Sequence, residues 1–182
     1  MILTLSQIKL IMKWFIKCLR QYADFNGRAS RQEFWMFVLF QIIFFIPALS
    51  LDIMFGTFNS TLGMGVISFA YSLTLMIPAL AVAIRRLHDI GKSGWMYFYI
   101  YGIPLIFYFI LIFAFIGMFG TDLLLMGQDI DPNQIEFSPS MGVFGILFLI
   151  DIICLIGGAI WLLILFVKKG DIGENNYGSD TQ

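Results

Sequence analysis

Within eight positions, the stretch Arg85-Arg86-Leu87-His88-Asp89-Ile90-Gly91-Lys92 gathers two guanidiniums, an imidazole, a carboxylate and an ammonium. His88 beside Asp89 is the pairing that a general base and its orienting carboxylate use, and Arg85 and Arg86, with Arg28 upstream, are the groups that would hold a phosphate. The same side chains have a plainer use: His88 caps a loop or a helix end, and the arginines fix topology and anchor lipid headgroups. His88 is the sole histidine, which excludes a multi-histidine metal site. Gly91-Lys92-Ser93 matches the end of a phosphate-binding loop, but the first glycine of that motif would fall on Arg86, and an apolar run precedes it where a strand is needed. Asp129, Asp131 and Asn133 match the opening ligands of a calcium loop, yet Gln134 stands where glycine is required and Ser140 where glutamate is required. No metal or cofactor is implied, and no nucleic-acid partner is expected.

Two more stretches carry polar chemistry. Upstream, Asn26-Gly27 is a turn signal, and Ser30 stands three residues before Glu33, the spacing of a capping box that starts a helix. Arg28 and Arg31 flank that start. Downstream, Gly170-Asp171-Ile172-Gly173-Glu174-Asn175-Asn176-Tyr177-Gly178 is a polar, turn-rich tail.

The elements that must position these groups are apolar. The hydrophobic fraction is 59% and the charged fraction 13%, against about 45–50% and about 25% in soluble domains. An all-α integral membrane four-helix bundle is expected, with spans at 34–55, 62–84, 95–118 and 143–167, each of a length that crosses a hydrocarbon core. Residues 1–33 form the amphipathic helix and turn motif, and 168–182 the tail. In the first helix Lys9, Lys13, Lys17 and Arg20 recur along one face and interrupt the run every turn, unlike a cleaved signal peptide. That helix is expected to lie in the membrane interface among anionic headgroups, the alternative being a helix docked on the protein's own face. Cys18 and Cys154 lack metal or redox spacing and read as packed thiols.

All eleven basic residues fall on one side of this arrangement. Lys9 to Arg31 precede the first span, Arg85, Arg86 and Lys92 lie between the second and third, and Lys168 and Lys169 follow the fourth. The positive-inside rule then puts both termini in the cytoplasm, with Trp35 and Trp95 at that interface.

Phe25-x-Gly27-Arg28-x-Ser30-Arg31-x-Glu33-Phe34-Trp35, Arg85-Arg86-Leu87-His88-Asp89-x-Gly91-x-Ser93-Gly94-Trp95 and Gly170-x-x-Gly173-x-Asn175-x-Tyr177-Gly178 occur in that order. Together they resemble the small bacterial inner-membrane proteins grouped as domain-of-unknown-function family 805, over nearly the whole chain from about Trp14. Ser179 departs from the proline expected there. The resemblance implies a bacterial inner-membrane location and a multi-span fold, and it implies no activity.

Topology brings the three polar stretches to one face, where Arg28, Arg31, Arg85, Arg86, His88, Asp89, Lys92, Asn175 and Tyr177 are the candidate ligand- or partner-binding residues. A contact of Arg85 or Arg86 with Glu33, Asp89 or Glu174 is expected. Glycines 27, 91, 94, 173 and 178 would fold these loops tightly and present backbone N–H groups to an anion. The leading expectation is a non-enzymatic membrane protein whose cytoplasmic polar cap binds an anionic lipid headgroup or a protein partner. One alternative is a homo-oligomeric small-solute or ion transporter using Asp151, deep in the fourth span, and another is a membrane enzyme acting on a lipid or phosphorylated substrate through His88 and Asp89. Asp151 should face protein, with a hydroxyl from Tyr71 or Tyr108 as partner and with Cys154 and Gly158 on a face that another helix can approach.

Overall fold

A computed structural model describes residues 5–125 and 139–179; the calcium-loop-like stretch at 129–133 lies outside the described residues. Five helices follow one another: α1 (Leu5–Arg20), α2 (Arg31–Met54), α3 (Val66–Asp89), α4 (Trp95–Leu125) and α5 (Pro139–Val167). Among the described residues no strand forms, and the fold is all-α as expected. The stretches Arg31–Met54, Val66–Asp89, Trp95–Met118 and Met141–Val167 are each long and apolar enough to cross a membrane, with mean hydropathy from 2.0 to 2.7.

Two boundaries differ from expectation in ways that matter. α3 starts four residues later than the apolar run and continues through Arg85, Arg86, His88 and Asp89, so these groups occupy helical turns rather than a loop. The helix ends only where Gly91 takes φ +66°, with the N–H groups of Gly91 and Lys92 donating to the carbonyls of His88 and Leu87 at 3.1 and 2.9 Å. That is a Schellman closure. It consumes the Gly91 N–H, at one of the glycines expected to present backbone N–H groups to an anion. α4 runs seven residues past the expected end of its span and α5 starts four residues early.

The chain divides into two compact units, 1–94 with 165–182, and 95–164. In the first unit α1 packs on α2 and α3. Phe15 is buried against Phe37, Phe40 and Phe44, with ring centroids 5.4, 5.7 and 5.5 Å away. α1 is therefore docked on the protein, not lying apart from it.

α2 and α3 form an antiparallel hairpin whose connecting turn is fixed by Asp52, fully buried near the end of α2. The N-cap of α3 is Gly65, which has no side chain, and Asp52 supplies the missing acceptor: its carboxylate takes the N–H of Ile67 at 2.9 Å and of Ser68 at 2.7 Å. A Cβ on Gly65 would run into that carboxylate, so the glycine and the aspartate require each other. Pro78, inside α3, has no N–H for the carbonyl of Thr74, and the Tyr22 hydroxyl donates to that carbonyl at 2.6 Å.

In the second unit α4 and α5 are antiparallel neighbours, with Tyr108 edge-on to Phe148 at 5.9 Å and Phe115 edge-on to Phe144 at 5.9 Å. A Cβ on Gly158 would come within 2.6 Å of Ile100 Cγ2 and 3.5 Å of the Ile100 carbonyl, the carbonyl that Pro104 leaves without its helical donor.

Candidate functional site

The start of α2, the end of α3, the end of α5 and the tail meet in the first unit, and their charged groups sort into two clusters. Arg85 and Arg86 are consecutive on a helix, so their side chains leave it about 100° apart. Each enters a different cluster.

Asp89 is the centre of the first. It is buried, its Oδ1 accepts from Arg28 Nε at 3.0 Å, and its Oδ2 accepts from Arg86 Nη1. Arg28, buried as well, spends its remaining N–H groups on tail carbonyls: Nη1 on Gly173 at 2.6 Å and Gly178 at 3.3 Å, Nη2 on Asp171 at 2.5 Å. Arg86 caps α5, donating from Nε to the Phe166 carbonyl at 3.2 Å and from Nη2 to that of Lys168, while Arg31 Nη1 reaches the Val167 carbonyl at 3.3 Å. Those carbonyls form the negative end of the α5 dipole, so two guanidiniums there satisfy hydrogen bonds and charge together. A Cβ on Gly170 would strike the Asp89 carboxylate.

The C-terminal carbonyls of α3 are as fully used. Ala29 N–H donates to Arg85 at 3.0 Å, Asp171 N–H to Asp89 at 2.8 Å, and Asn175 Nδ2 to His88 at 3.0 Å. The Tyr177 ring stacks on His88, centroids 3.9 Å apart and planes 3° from parallel. His88 Nδ1 lies 3.1 Å from the Gly27 carbonyl, which can only accept, so Nδ1 carries a proton. Gly94 is buried at this junction; a Cβ there would come within 2.5 Å of Ile84 Cγ2 and 3.4 Å of His88 Nε2.

Glu33 is the centre of the second cluster. Its backbone N–H donates to the N-cap Ser30 Oγ at 3.2 Å, which is one half of the expected capping box. The other half is not made, because the carboxylate turns to α1 and α3: Oε2 meets Lys17 Nζ at 2.5 Å, and Oε1 lies 3.4 Å from Arg85 Nη2 and 3.7 Å from Cys18 Sγ. Arg85 Nη1 donates to Gln21 Oε1. Burial and the Glu33 charge together push the Cys18 thiol up to about 12. Arg85 is buried, and its Nε and Nη2 have no hydrogen-bond partner.

The expected pairings of Arg85 with Glu33 and of Arg86 with Asp89 are both present, whereas Glu174 is exposed. Lys92 is exposed, and its backbone N–H closes α3. Lys17, Cys18 and Gln21 were not among the expected site residues. Their signal is spacing: with Trp14 they stand at positions one and two turns apart on one helical face, a packing stripe laid through the lysines.

The intramembrane group departs from expectation. Asp151 is buried, as required for facing protein, but its Oδ2 has no hydrogen-bond partner. The Tyr71 hydroxyl donates instead to the Gln41 carbonyl at 2.9 Å, the Tyr108 ring packs on Phe148, and Cys154 is exposed rather than packed.

A family described as "Protein of unknown function (DUF805)" matches residues 22–179. The chain belongs to the DUF805 family. The DUF805 match takes in the Asp89 cluster entirely, together with Glu33 and Arg85, and begins just after Gln21. Among similar proteins, inner membrane protein YhaH of Escherichia coli (strain K12) is 42% identical over 84 residues, 46% of this chain and 69% of that protein. Inner membrane protein YhaI of the same strain is 39% identical over 83 residues, 46% of this chain and 66% of that protein. No solved structure matches. This DUF805 chain is an integral membrane protein of a family whose function is unknown.

Proposed function

We propose that this is a bacterial inner-membrane protein, with both termini cytoplasmic, whose polar cap binds the headgroup of an anionic lipid and performs no catalysis. The one-sided distribution of lysine and arginine supports the orientation, and the similarity to the inner membrane proteins YhaH and YhaI supports the membrane. The observation that carries the binding is on α1. Lys13, Lys17 and Arg20, with Ile16 and Gln21, line a groove of about 480 Å³, and the Lys13 and Lys17 ammonium groups stand 4.8 and 5.5 Å from the Trp14 ring centroid. Cations beside an apolar wall and an indole suit a headgroup joined to its acyl chains. Arg28, Arg86 and Asp89 are spent on one another and on carbonyls, so they frame the cap rather than contact the lipid. An enzyme would need Asp89 to orient His88, and that carboxylate serves two guanidiniums.

Native mass spectrometry of the detergent-extracted protein tests this. Phosphatidylglycerol should be retained over phosphatidylcholine, and the double substitution Lys13→Ala, Arg20→Ala should remove that preference. Equal retention by the unaltered protein would overturn the proposal. A second reading, a homo-oligomeric carrier or channel for a small solute or ion, rests on the buried, unpartnered Asp151 oxygen. In proteoliposomes it requires pH-driven proton flux that Asp151→Asn abolishes in a protein that still folds; flux unaffected by the substitution rejects it.

A further inference from the structure

Arg85 is a buried cation whose needs its neighbours do not meet. Of its five N–H donors, those on Nη1 face Gln21, and those on Nε and Nη2 have no hydrogen-bond partner although the side chain is 1% exposed. Glu33 Oε1 supplies charge at 3.4 Å from Nη2 without hydrogen-bond geometry, and the other Glu33 oxygen is drawn to Lys17. One carboxylate is shared between two cations, and a buried guanidinium left with open donors is a receptor for an oxyanion.

Arg85 is not itself in the lining of the groove on α1, but two of the lining residues contact it or its counter-ion. Gln21 holds Arg85, Lys17 holds the carboxylate beside Arg85, and Lys13 and Arg20 add positive charge at the mouth. We propose that the groove and Arg85 form one phosphate site, in which Glu33 is a resident counter-anion that a phosphate monoester displaces from Lys17 and Arg85. This rests on the headgroup reading and narrows it to a charge state. Lys13, Lys17, Arg20 and Arg85 against Glu33 leave three positive charges in excess. A phosphodiester carries one negative charge, whereas a monoester near neutral pH carries about 1.5 to 2 and has three acceptor oxygens with which to fill the open donors. The monoester can belong to a lipid of the phosphatidic acid class or to a soluble phosphate.

The full chain in detergent is titrated with phosphatidic acid, phosphatidylglycerol and phosphatidylcholine of matched acyl chains, and bound populations are read by native mass spectrometry. Phosphatidic acid should bind about tenfold more tightly than phosphatidylglycerol. Glu33→Gln, which removes the internal competitor, should tighten phosphatidic acid binding by a further factor of about ten, whereas a residue with only a structural role would weaken it or leave it unchanged. Arg85→Lys should cancel the monoester preference while leaving that for phosphatidylglycerol over phosphatidylcholine. If Arg85→Lys does not fold, the comparison of lipids on the unaltered chain and the Glu33→Gln titration still decide. Displacement of phosphatidic acid by millimolar inorganic phosphate assigns the site to soluble phosphates as well; resistance to displacement assigns it to the lipid. Equal affinities for phosphatidic acid and phosphatidylglycerol, both above phosphatidylcholine, would overturn the monoester site and leave headgroup binding standing. Unchanged or weaker binding by a folded Glu33→Gln protein would overturn the displacement.

Discussion

Asp89 and Glu33 are each buried between two cations, yet the surroundings of the two carboxylates differ in one respect. The cations around Asp89 reach the end of α5 and the tail, so their surplus N–H groups find backbone carbonyls from Asp171, Gly173, Gly178, Phe166 and Lys168. Around Glu33, Gln21, just past the end of α1, is the acceptor offered to Arg85, and the Lys17 side chain stays 43% exposed. A buried ion pair is favourable only when the remaining donors are satisfied. The first cluster meets that condition and works as a clasp on the tail; the second does not, and retains capacity for another anion.

Removing the closed carboxylate should have the largest effect. Asp89→Asn leaves Arg28 and Arg86 buried without their shared counter-charge and should cost about 3–5 kcal/mol, seen in detergent as poor recovery and a sharply lowered unfolding temperature. A loss under about 1 kcal/mol would mean that the carbonyls alone hold the two arginines, and the contrast with Glu33 would disappear. Glu33→Gln should cost less, about 1–2 kcal/mol, because water takes over part of what the half-exposed Lys17 loses. If the two substitutions prove equally costly, the second cluster is as closed as the first.

Tyr177→Leu should be milder again, about 1 kcal/mol, since it removes a stacked ring from His88 while Arg28 keeps its tail carbonyls. Limited proteolysis should then nick the tail faster than in the unaltered chain, with the helices intact. An unchanged cleavage rate would place the grip on the tail wholly in Arg28. The smallest effect is expected at Cys18. With its thiol held up to about 12, it stays protonated, and a water-soluble maleimide at pH 8 should leave it unlabelled until the protein is unfolded. Glu33→Gln removes only the lesser cause, so labelling should remain slow; fast labelling of the unaltered chain would mean that α1 lifts away from Glu33.

What the sequence disclosed follows from what its patterns encode. Four apolar runs, the Ser30 cap and the meeting of three polar stretches were legible, because length, hydropathy and charge asymmetry report directly on a bilayer. Asp52 falls inside the expected span 34–55 with nothing local to mark its role, because that role depends on Gly65 thirteen positions later lacking a side chain. The separate fates of Arg85 and Arg86 were hidden for a related reason. As neighbours in sequence they look equivalent, and a continuation of α3 past the expected span end turns them to opposite surroundings. Glu33 was expected both to close the Ser30 capping box and to meet an arginine; the contact with Arg85 is made, whereas the contact with Lys17, sixteen positions upstream, draws the carboxylate from the cap and is one that no local pattern reports.

Nε–H resonances of the arginines offer the most direct measurement, since each reports one guanidinium. In the detergent-solubilised protein, with peaks assigned by Arg28→Lys, Arg85→Lys and Arg86→Lys, phosphate or phosphatidic acid should move the Arg85 Nε–H signal and leave those of Arg28 and Arg86 in place. Movement of Arg28 or Arg86 with a stationary Arg85, or an Arg85 signal unmoved at saturating phosphatidic acid, would contradict the distinction between a closed and an open cluster.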